Sequence, residues 1–269
     1  MNMDKHQINL NIPKNSAFRV IGKPIEIGDS KQSITAMAFD PEGTRLAVGE
    51  FDGHVRIYSY VSGKIQMVLN PPSKEGEDQT PIMCIRWKPN VRGDQLKETQ
   101  SICALTSNGM IYHWHLQTQK LLSENDYHKE IKNNLYCGDY TADGRKLIIA
   151  GSDRNIYVYD DQKRVLEATL HSRDEKLQGH SNRIYSLKCS KEEPNLFVTA
   201  GWDGNLKIYD LQQKCPIASI LGPNVSNDSL DVWGDMVIAG NNKNSQVMML
   251  FSISQKKLIQ TFEFDRSLV

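Results

Sequence analysis

The chain has no apolar run near the ~20 residues needed to cross a bilayer as a helix; "VMMLF" (247–251) is among its longest. Its first residues, "MNMDKHQINLNIPKNS", are polar and lack the apolar segment of a secretory signal. Neither charge is in surplus: 32 Lys and Arg stand against 32 Asp and Glu, with no long block of one sign. A polyanion-binding protein draws its affinity from clustered Lys and Arg, so direct nucleic-acid binding is disfavoured. No C-x-x-C pair occurs among Cys84, Cys103, Cys137, Cys189 and Cys215, and most of these lie in apolar runs such as "IMCIRW" and "SICALT". They read as reduced core thiols of an intracellular chain. Gly-rich phosphate loops, acidic metal clusters and paired catalytic carboxylates are missing too, so no cofactor, no metal and no catalytic residue is expected. The chain is expected to be non-enzymatic and cytoplasmic, with the nucleus or the cilium and cytoskeleton as other locations.

What the sequence does have is repetition. The stretch "FVTAGWDGNLKIYD" (197–210) sets Gly-Trp-Asp-Gly between two runs rich in β-branched and aromatic residues. It has relatives in "LAVGEFDGHVRIYSY" (46–60), "CALTSNGMIYHWHL" (103–116) and "IIAGSDRNIYVYDD" (148–161). Each is a small-residue strand, a turn on Asp or Asn, and an alternating strand ending in an aromatic. The turn residues Asp52, Asn108, Asp153 and Asp203 lie 56, 45 and 50 positions apart, an irregularity that loop insertions into one unit produce. A fifth, degenerate copy is "VIAGNNKNSQVMMLFSI" (237–253). Upstream of the turns lie a further apolar run and a hairpin loop, as in "ITAMAFDPEGTRLAVGE", where Pro presets φ and Gly accepts positive φ. Downstream, a polar turn leads into a fourth apolar run. Each unit thus reads as four antiparallel strands, at about 34–69, 81–123, 133–170, 183–220 and 229–264. The period-2 alternation leaves no room for helices. One four-stranded sheet exposes both faces, so the units must stack on one another.

In this pattern the chain resembles the WD-repeat β-propeller family over about residues 18–264. The strongest match runs from "GHSNRIYSL" to "LKIYD", with "KIYD" where the family has its Trp-Asp pair. The resemblance implies a hydrogen-bonded tetrad within one blade, which falls on His180, Thr199, Asp203 and, with Tyr for Trp, Tyr209. Its chemistry is sound: a buried Asp in a tight turn needs donors, and an imidazole with turn amides supplies them. The charge would clamp the turn to the neighbouring loop. Val48 and Ile149 stand where the hydroxyl would be in two other units, and no Gly-His precedes Asp52 or Asp153. Those blades are expected to rely on apolar packing. His180, Thr199 and Asp203 do not read as a hydrolytic triad, since the hydroxyl lies in a strand rather than on an exposed elbow. His113 and His115 flank Trp114 on one strand face, but no third metal ligand is near.

The expected fold class is therefore all-β, a β-propeller of four-stranded antiparallel blades with five complete blades visible. Residues 1–17 read as a flexible segment, and "FRVIGKPIEIG" (18–28) as one further strand with no siblings. In the family the first strand usually supplies the outer edge of the last blade. Three arrangements follow: a truncated product of a seven-bladed chain, a closed five-bladed ring, or an open arc that an oligomer completes. Function in propellers lies at the rims and central funnel. The turns between second and third strands share one end of the disc with the loops entering each first strand, which gathers Glu50, Phe51, Arg154, Trp202, Ser181, Asn182 and Arg183. Exposed Trp beside Arg suits an interface; the competing reading packs each ring on its neighbouring loop. The function expected is a scaffold or adaptor that binds proteins or peptides, within a multiprotein complex and away from membranes. A nucleic-acid-associated module and, less well supported, a propeller enzyme are the alternatives.

Overall fold

The computed structural model describes residues 32–72, 80–89, 101–170, 178–242 and 247–263. The strand expected at 18–28 and the segment 1–17 lie outside them, as do residues 73–79 and 90–100. Among the described residues twenty strands, β1 to β20 in chain order, form five separate sheets of four antiparallel strands, each strand beside its successor. The innermost strands are β1 (Ile34–Phe39), β5 (Ile82–Trp87), β9 (Leu135–Tyr140), β13 (Ile184–Cys189) and β17 (Leu230–Trp233). The outermost strand of the fifth blade is β20 (Lys257–Phe262).

All five blades share one irregularity. The register between third and fourth strands slips at Ile57/Tyr58, His113/Trp114, Val158/Tyr159, Ile208/Tyr209 and Leu250/Phe251. A bulge adds local twist, and its recurrence at one place marks even the degenerate fifth copy as the same unit.

Each sheet is too thin to have an interior of its own, so the apolar cores lie between blades. Ala47, Val55, Ile57 and Leu69 meet Ile82, Ile85, Ile102 and Trp114 across the first interface. Leu105 and Ile111 meet Leu135, Leu147 and Ile149 across the second. Ile148, Ile156 and Val158 meet Ile184, Leu187 and Phe197 across the third. Val198, Leu206 and Ile208 meet Leu230, Val237, Met249 and Phe251 across the fourth. Cys84, Cys103, Cys137 and Cys189 are free thiols buried in these cores, and Cys215 is half-buried. Four apolar cores join five blades; among the described residues none joins the fifth blade back to the first. The inner strands touch in the order β1, β5, β9, β13, β17, with no comparable contact from β17 to β1.

One expectation needs correction. A one-turn helix, α1 (Tyr127–Glu130), runs into the connector "HKEIKNN" (128–134) and carries the buried His128. Period-2 patterning governs the blades and says nothing about connectors.

Each blade is also tied at one end by a repeated backbone bond. The residue just after the second strand donates its N–H to the loop that enters the first: Phe51 to Ser33 (2.9 Å), Ser107 to Pro81 (3.0 Å), Ser152 to Asn134 (2.9 Å) and Trp202 to Arg183 (3.1 Å). Blade five has its version from Gly240 to Ser229 at 2.7 Å. The close approach explains two glycines. A Cβ on Gly201 would lie 2.1 Å from the Arg183 carbonyl, and one on Gly151 would lie 2.0 Å from that of Asn134. Gly204 differs: it sits at φ +70° with open space around its missing Cβ. Gly201→Ala must displace backbone and break the tie, at about 2–3 kcal/mol. That is a fall in melting temperature of roughly 5–10 °C. Gly204→Ala carries only its left-handed strain, about 1 kcal/mol. Thermal unfolding of both variants checks the difference, and equal losses would refute the steric account.

Candidate functional site

The blade-four tetrad residues meet as a network of three. His180 donates from Nδ1 to Asp203 Oδ2 at 2.9 Å, and its Nε2 accepts the Thr199 hydroxyl at 2.7 Å. Asp203 also accepts the backbone N–H of Ser181 (3.0 Å) and of Asn205 (3.1 Å). Burial pushes the Asp203 carboxyl up, but the hydrogen bonds from His180 and from the Ser181 and Asn205 backbone outweigh it and leave it below the usual range. Burial keeps the imidazole neutral by lowering its pKa against the pull of Asp203. Tyr209 does not close the chain. The cross-strand partner of Thr199 is Lys207, whose ammonium donates to the Gln178 carbonyl (2.8 Å) and Ser219 Oγ (3.1 Å). Tyr209 instead stacks on Phe197, centroids 5.0 Å apart and 9° from parallel. The network is buried structural wiring.

The other turn residues find local partners. Asp52 accepts from the His54 backbone N–H (3.1 Å) and pairs with its imidazole (3.0 Å). Asn108 Oδ1 accepts the Thr106 hydroxyl at 2.6 Å. In blade three, Asp153 takes the Tyr157 hydroxyl and the Asn155 N–H. There the expectation of purely apolar packing fails. His128, delivered by α1, meets Tyr159 Oη through Nε2 (2.8 Å) and Asn133 through Nδ1 (3.2 Å). Asn133 in turn accepts from Ser152 Oγ (3.1 Å) and the Asp153 N–H (3.2 Å). A helix-borne histidine thus does in blade three what a Gly-His loop does in blade four.

Two charged clusters were not visible in the sequence. The first lies between blades two and three, where Asp161 is fully buried. Its carboxylate receives Lys88 (2.9 Å), Tyr140 (3.2 Å), Arg164 and, at 3.5 Å, the ring of His113. Burial would raise the Asp161 carboxyl, but the His113 bond and the Arg164 and Lys88 cations hold it down at about 2. His113 also meets Ser123 (3.2 Å), whereas His115 bonds Thr118 (2.9 Å). The paired imidazoles therefore have separate partners, and among the described residues no His, Cys, Asp and Glu set could hold a metal. The second cluster crosses the central channel. Arg86 of β5 donates to Asp228 (2.7 Å), ahead of β17, and lies 3.4 Å from Asp139 of β9. Lys188 of β13 stands 3.7 Å from Asp228. Lys88, Asp161, Arg86 and Asp228 lie far apart in sequence, and no local spacing pairs them.

The end of the disc bearing the turns holds most of the expected surface residues. Trp202 is 45% exposed and Phe51 56% exposed, and Arg154, Ser181, Asn182 and Arg183 are exposed as well. Glu50 is not on that surface. It is buried and ion-paired with Arg56. The sequence reading missed that Trp202 is the end of an aromatic ladder. Tyr136 of β9 stacks on Tyr185 of β13 (4.6 Å, 12°), and Tyr185 on Trp202 (5.0 Å, 36°). One edge of the Trp202 ring packs on Tyr185 and the other meets solvent. Tyr136 and Tyr185 occupy equivalent positions in "LYCGDY" and "IYSLKC", the signal that could have revealed the ladder.

These features define a propeller of four-stranded antiparallel blades. Residues 172–210 match the model for the WD domain, G-beta repeat, and residues 6–90 match that of the anaphase-promoting complex subunit 4 WD40 domain. In these two stretches the chain is similar to WD-repeat proteins. It is 21% identical over 197 residues to a ribosome biogenesis protein WDR12 homolog of Drosophila erecta, covering 71% of this chain and 44% of the relative. The Drosophila simulans homolog is 22% identical, with 80% and 50% covered. The chain spans about half the length of these curated relatives. The solved U3-55K structure superposes with TM-score 0.70 at 17% identity, over 88% of this chain and 66% of that one. A structure of RRP9 WD40 repeats gives TM-score 0.68 at 17% identity, with 88% and 65% covered.

The buried histidines make folding pH-dependent. An unfolded histidine protonates near pH 6.5, whereas burial holds His128 down to about 4 and also lowers His113 and His180. Their contribution is complete above pH 6.5 and is lost as pH falls toward the folded values. His128 alone predicts a loss of about 2 kcal/mol between pH 7.5 and pH 5. Urea denaturation at the two pH values measures it, and a flat profile would contradict neutral buried imidazoles.

Proposed function

We propose that this chain is a non-catalytic scaffold that holds protein or peptide partners on the turn-bearing end of the disc, as part of a multiprotein complex. The carrying observation is the ladder Tyr136–Tyr185–Trp202, a rigid aromatic step that spans two blades and ends in a half-exposed indole beside Arg183. Rigid aromatics gain contact area with little loss of side-chain freedom, which is why Trp, Tyr and Arg dominate interface energetics. The working surface centres on Trp202, Arg183, Ser181 and Asn182, with Arg154 and Phe51 on neighbouring blades.

The names of the relatives suggest where such a scaffold acts. Proteins named for ribosome biogenesis match most of this chain, and this favours an RNA-processing assembly over a cytoplasmic one. We place the chain in the nucleus on that ground. Contact with RNA would run through its protein partners, because the balanced charge offers no basic track. No enzyme is proposed: the buried His180, Thr199 and Asp203 satisfy one another and face no pocket of converging reactive groups.

Affinity capture with mass spectrometry, after nuclease treatment, tests this reading on wild type, Trp202→Ala and the Phe51→Ala/Trp202→Ala double variant. A central aromatic anchor contributes about 2 kcal/mol or more, so co-purified partners should fall roughly tenfold or further. The melting temperature should stay within about 3 °C. Unchanged capture would remove the ladder from the interface, and a large stability loss would assign Trp202 to packing alone.

A further inference from the structure

In blades one to four the turn residues Asp52, Asn108, Asp153 and Asp203 are each followed by a residue at positive φ. In three blades that residue is glycine: Gly53 at +86°, Gly109 at +92° and Gly204 at +70°. Blade three has Arg154 there, at +74°. A side chain in this region crowds the carbonyl that follows, and glycine closes the same turn without that cost. The turn does not need the arginine. Asp153 holds it alone, accepting the Asn155 N–H (3.1 Å) and the Tyr157 hydroxyl. Among the described residues Arg154 donates only from Nε to the Asp153 carbonyl, at 3.4 Å, and its side chain is exposed. A strained backbone at an exposed turn points to use of the side chain on the surface.

A second observation lies on the same two blades. Tyr136 and Tyr185 are each the extra residue of a bulge in an inner strand: pairing passes from Leu135 to Cys137 in β9 and from Ile184 to Ser186 in β13. A bulge re-aims its side chain, and these two rings meet each other across the blades and run on to Trp202. The same bulges in blades one and two carry Thr35 and Met83. The aromatic step therefore belongs to blades three and four, the blades that also carry Arg154 and the exposed Arg183. The Arg183 carbonyl holds the Trp202 N–H, so this arginine is fixed beside the indole. The carboxylates of the two turns are turned inward: Asp153 serves Tyr157 and Asn155, and Asp203 serves His180, Ser181 and Asn205. Among the described residues no Asp or Glu pairs with either arginine. The surface around Trp202 is thus aromatic and cationic.

We propose that the partner taken by this face is an acidic peptide segment, which lays an apolar or aromatic side chain on Trp202 and sets carboxylates against Arg154 and Arg183. The proposal rests on the reading of Trp202 as an interface residue and adds the chemistry of what it binds. A guanidinium presents a planar pair of N–H donors that matches a carboxylate. An exposed ion pair alone contributes little. Beside an apolar contact that excludes water, the same pair fixes orientation and selects against cationic segments. Single-stranded RNA also takes aromatic and Arg side chains, but it needs a continuous cationic groove along its backbone. Two arginines on separate blades, with Glu130 exposed on the connector into blade three, do not form one.

The test presents the full chain to a synthetic array of random nonamer peptides and, separately, to fluorescein-labelled oligouridine. Wild type is compared with Trp202→Ala and with Arg154→Gly/Arg183→Gln. Peptides bound by wild type should be enriched in Asp and Glu and should be lost with Trp202→Ala. The double arginine variant should bind the best acidic peptide about tenfold more weakly. Raising salt from about 50 to about 300 mM should weaken wild type several-fold and the double variant far less. Arg154→Gly alone should melt no lower than wild type, because glycine relieves the left-handed strain; a fall beyond about 3 °C would assign the arginine to the turn and overturn the proposal. Binders without acidic enrichment that still require Trp202 would overturn it and leave the interface reading standing. No binders, or binders indifferent to Trp202→Ala, would remove both. Oligouridine binding that the double variant loses would overturn it in favour of RNA.

Discussion

The structure depends on one constraint: a four-stranded sheet has two faces and no interior, so a blade becomes stable only against another blade. The large apolar side chains of the four cores are buried between neighbours rather than within a sheet. Small residues such as Ala47, Gly138 and Ala150 let the sheets approach; a Cβ on Gly138 would already meet Leu105 at 2.9 Å. The repeat in the sequence is the imprint of this requirement, because each unit must present the same two faces to its neighbours.

Polar groups set how the blades are aligned. The Asp161 cluster joins Lys88 and His113 of blade two to Tyr140 and Arg164 of blade three. Arg86, Asp139 and Lys188 of three inner strands meet Asp228, just ahead of β17, across the channel. Buried ion pairs add little net stability once desolvation is counted, but an incorrect register would strand a charge at a cost of several kcal/mol. Their role here is specification. The apolar cores draw the blades together, and these clusters allow one angular arrangement. The end of the disc is left to vary, and there the aromatic ladder and its Arg183 lie.

The sequence made the blades legible because strands and turns are local. Alternation marked the strands, and Asp or Asn with Gly marked the hairpins. The His180–Thr199–Asp203 network was readable because one repeat retains all three residues at the family spacing, and its bonds formed as chemistry demands. Tyr209 failed to join because a shorter ring, two positions past the cross-strand neighbour Lys207, finds a better partner in Phe197. Glu50 was misplaced on the surface because nothing in its turn-adjacent position announces the ion pair with Arg56 in which it is buried. His128 was hidden in a polar connector whose helix is one turn long. The Asp161 and Arg86 clusters join residues from different blades, and such pairings depend on how the blades stack.

Native-state hydrogen exchange, resolved to single strands, tests most directly whether the blades hold one another up in an open series. Strands of blades two, three and four, each flanked on both sides, should open only with global unfolding. Amides of blade five, with one packed face, should exchange through a smaller opening, about 2 kcal/mol or more below the global value. Equal protection across all five blades would contradict the account, because it would require the last blade to be packed on both faces like the rest.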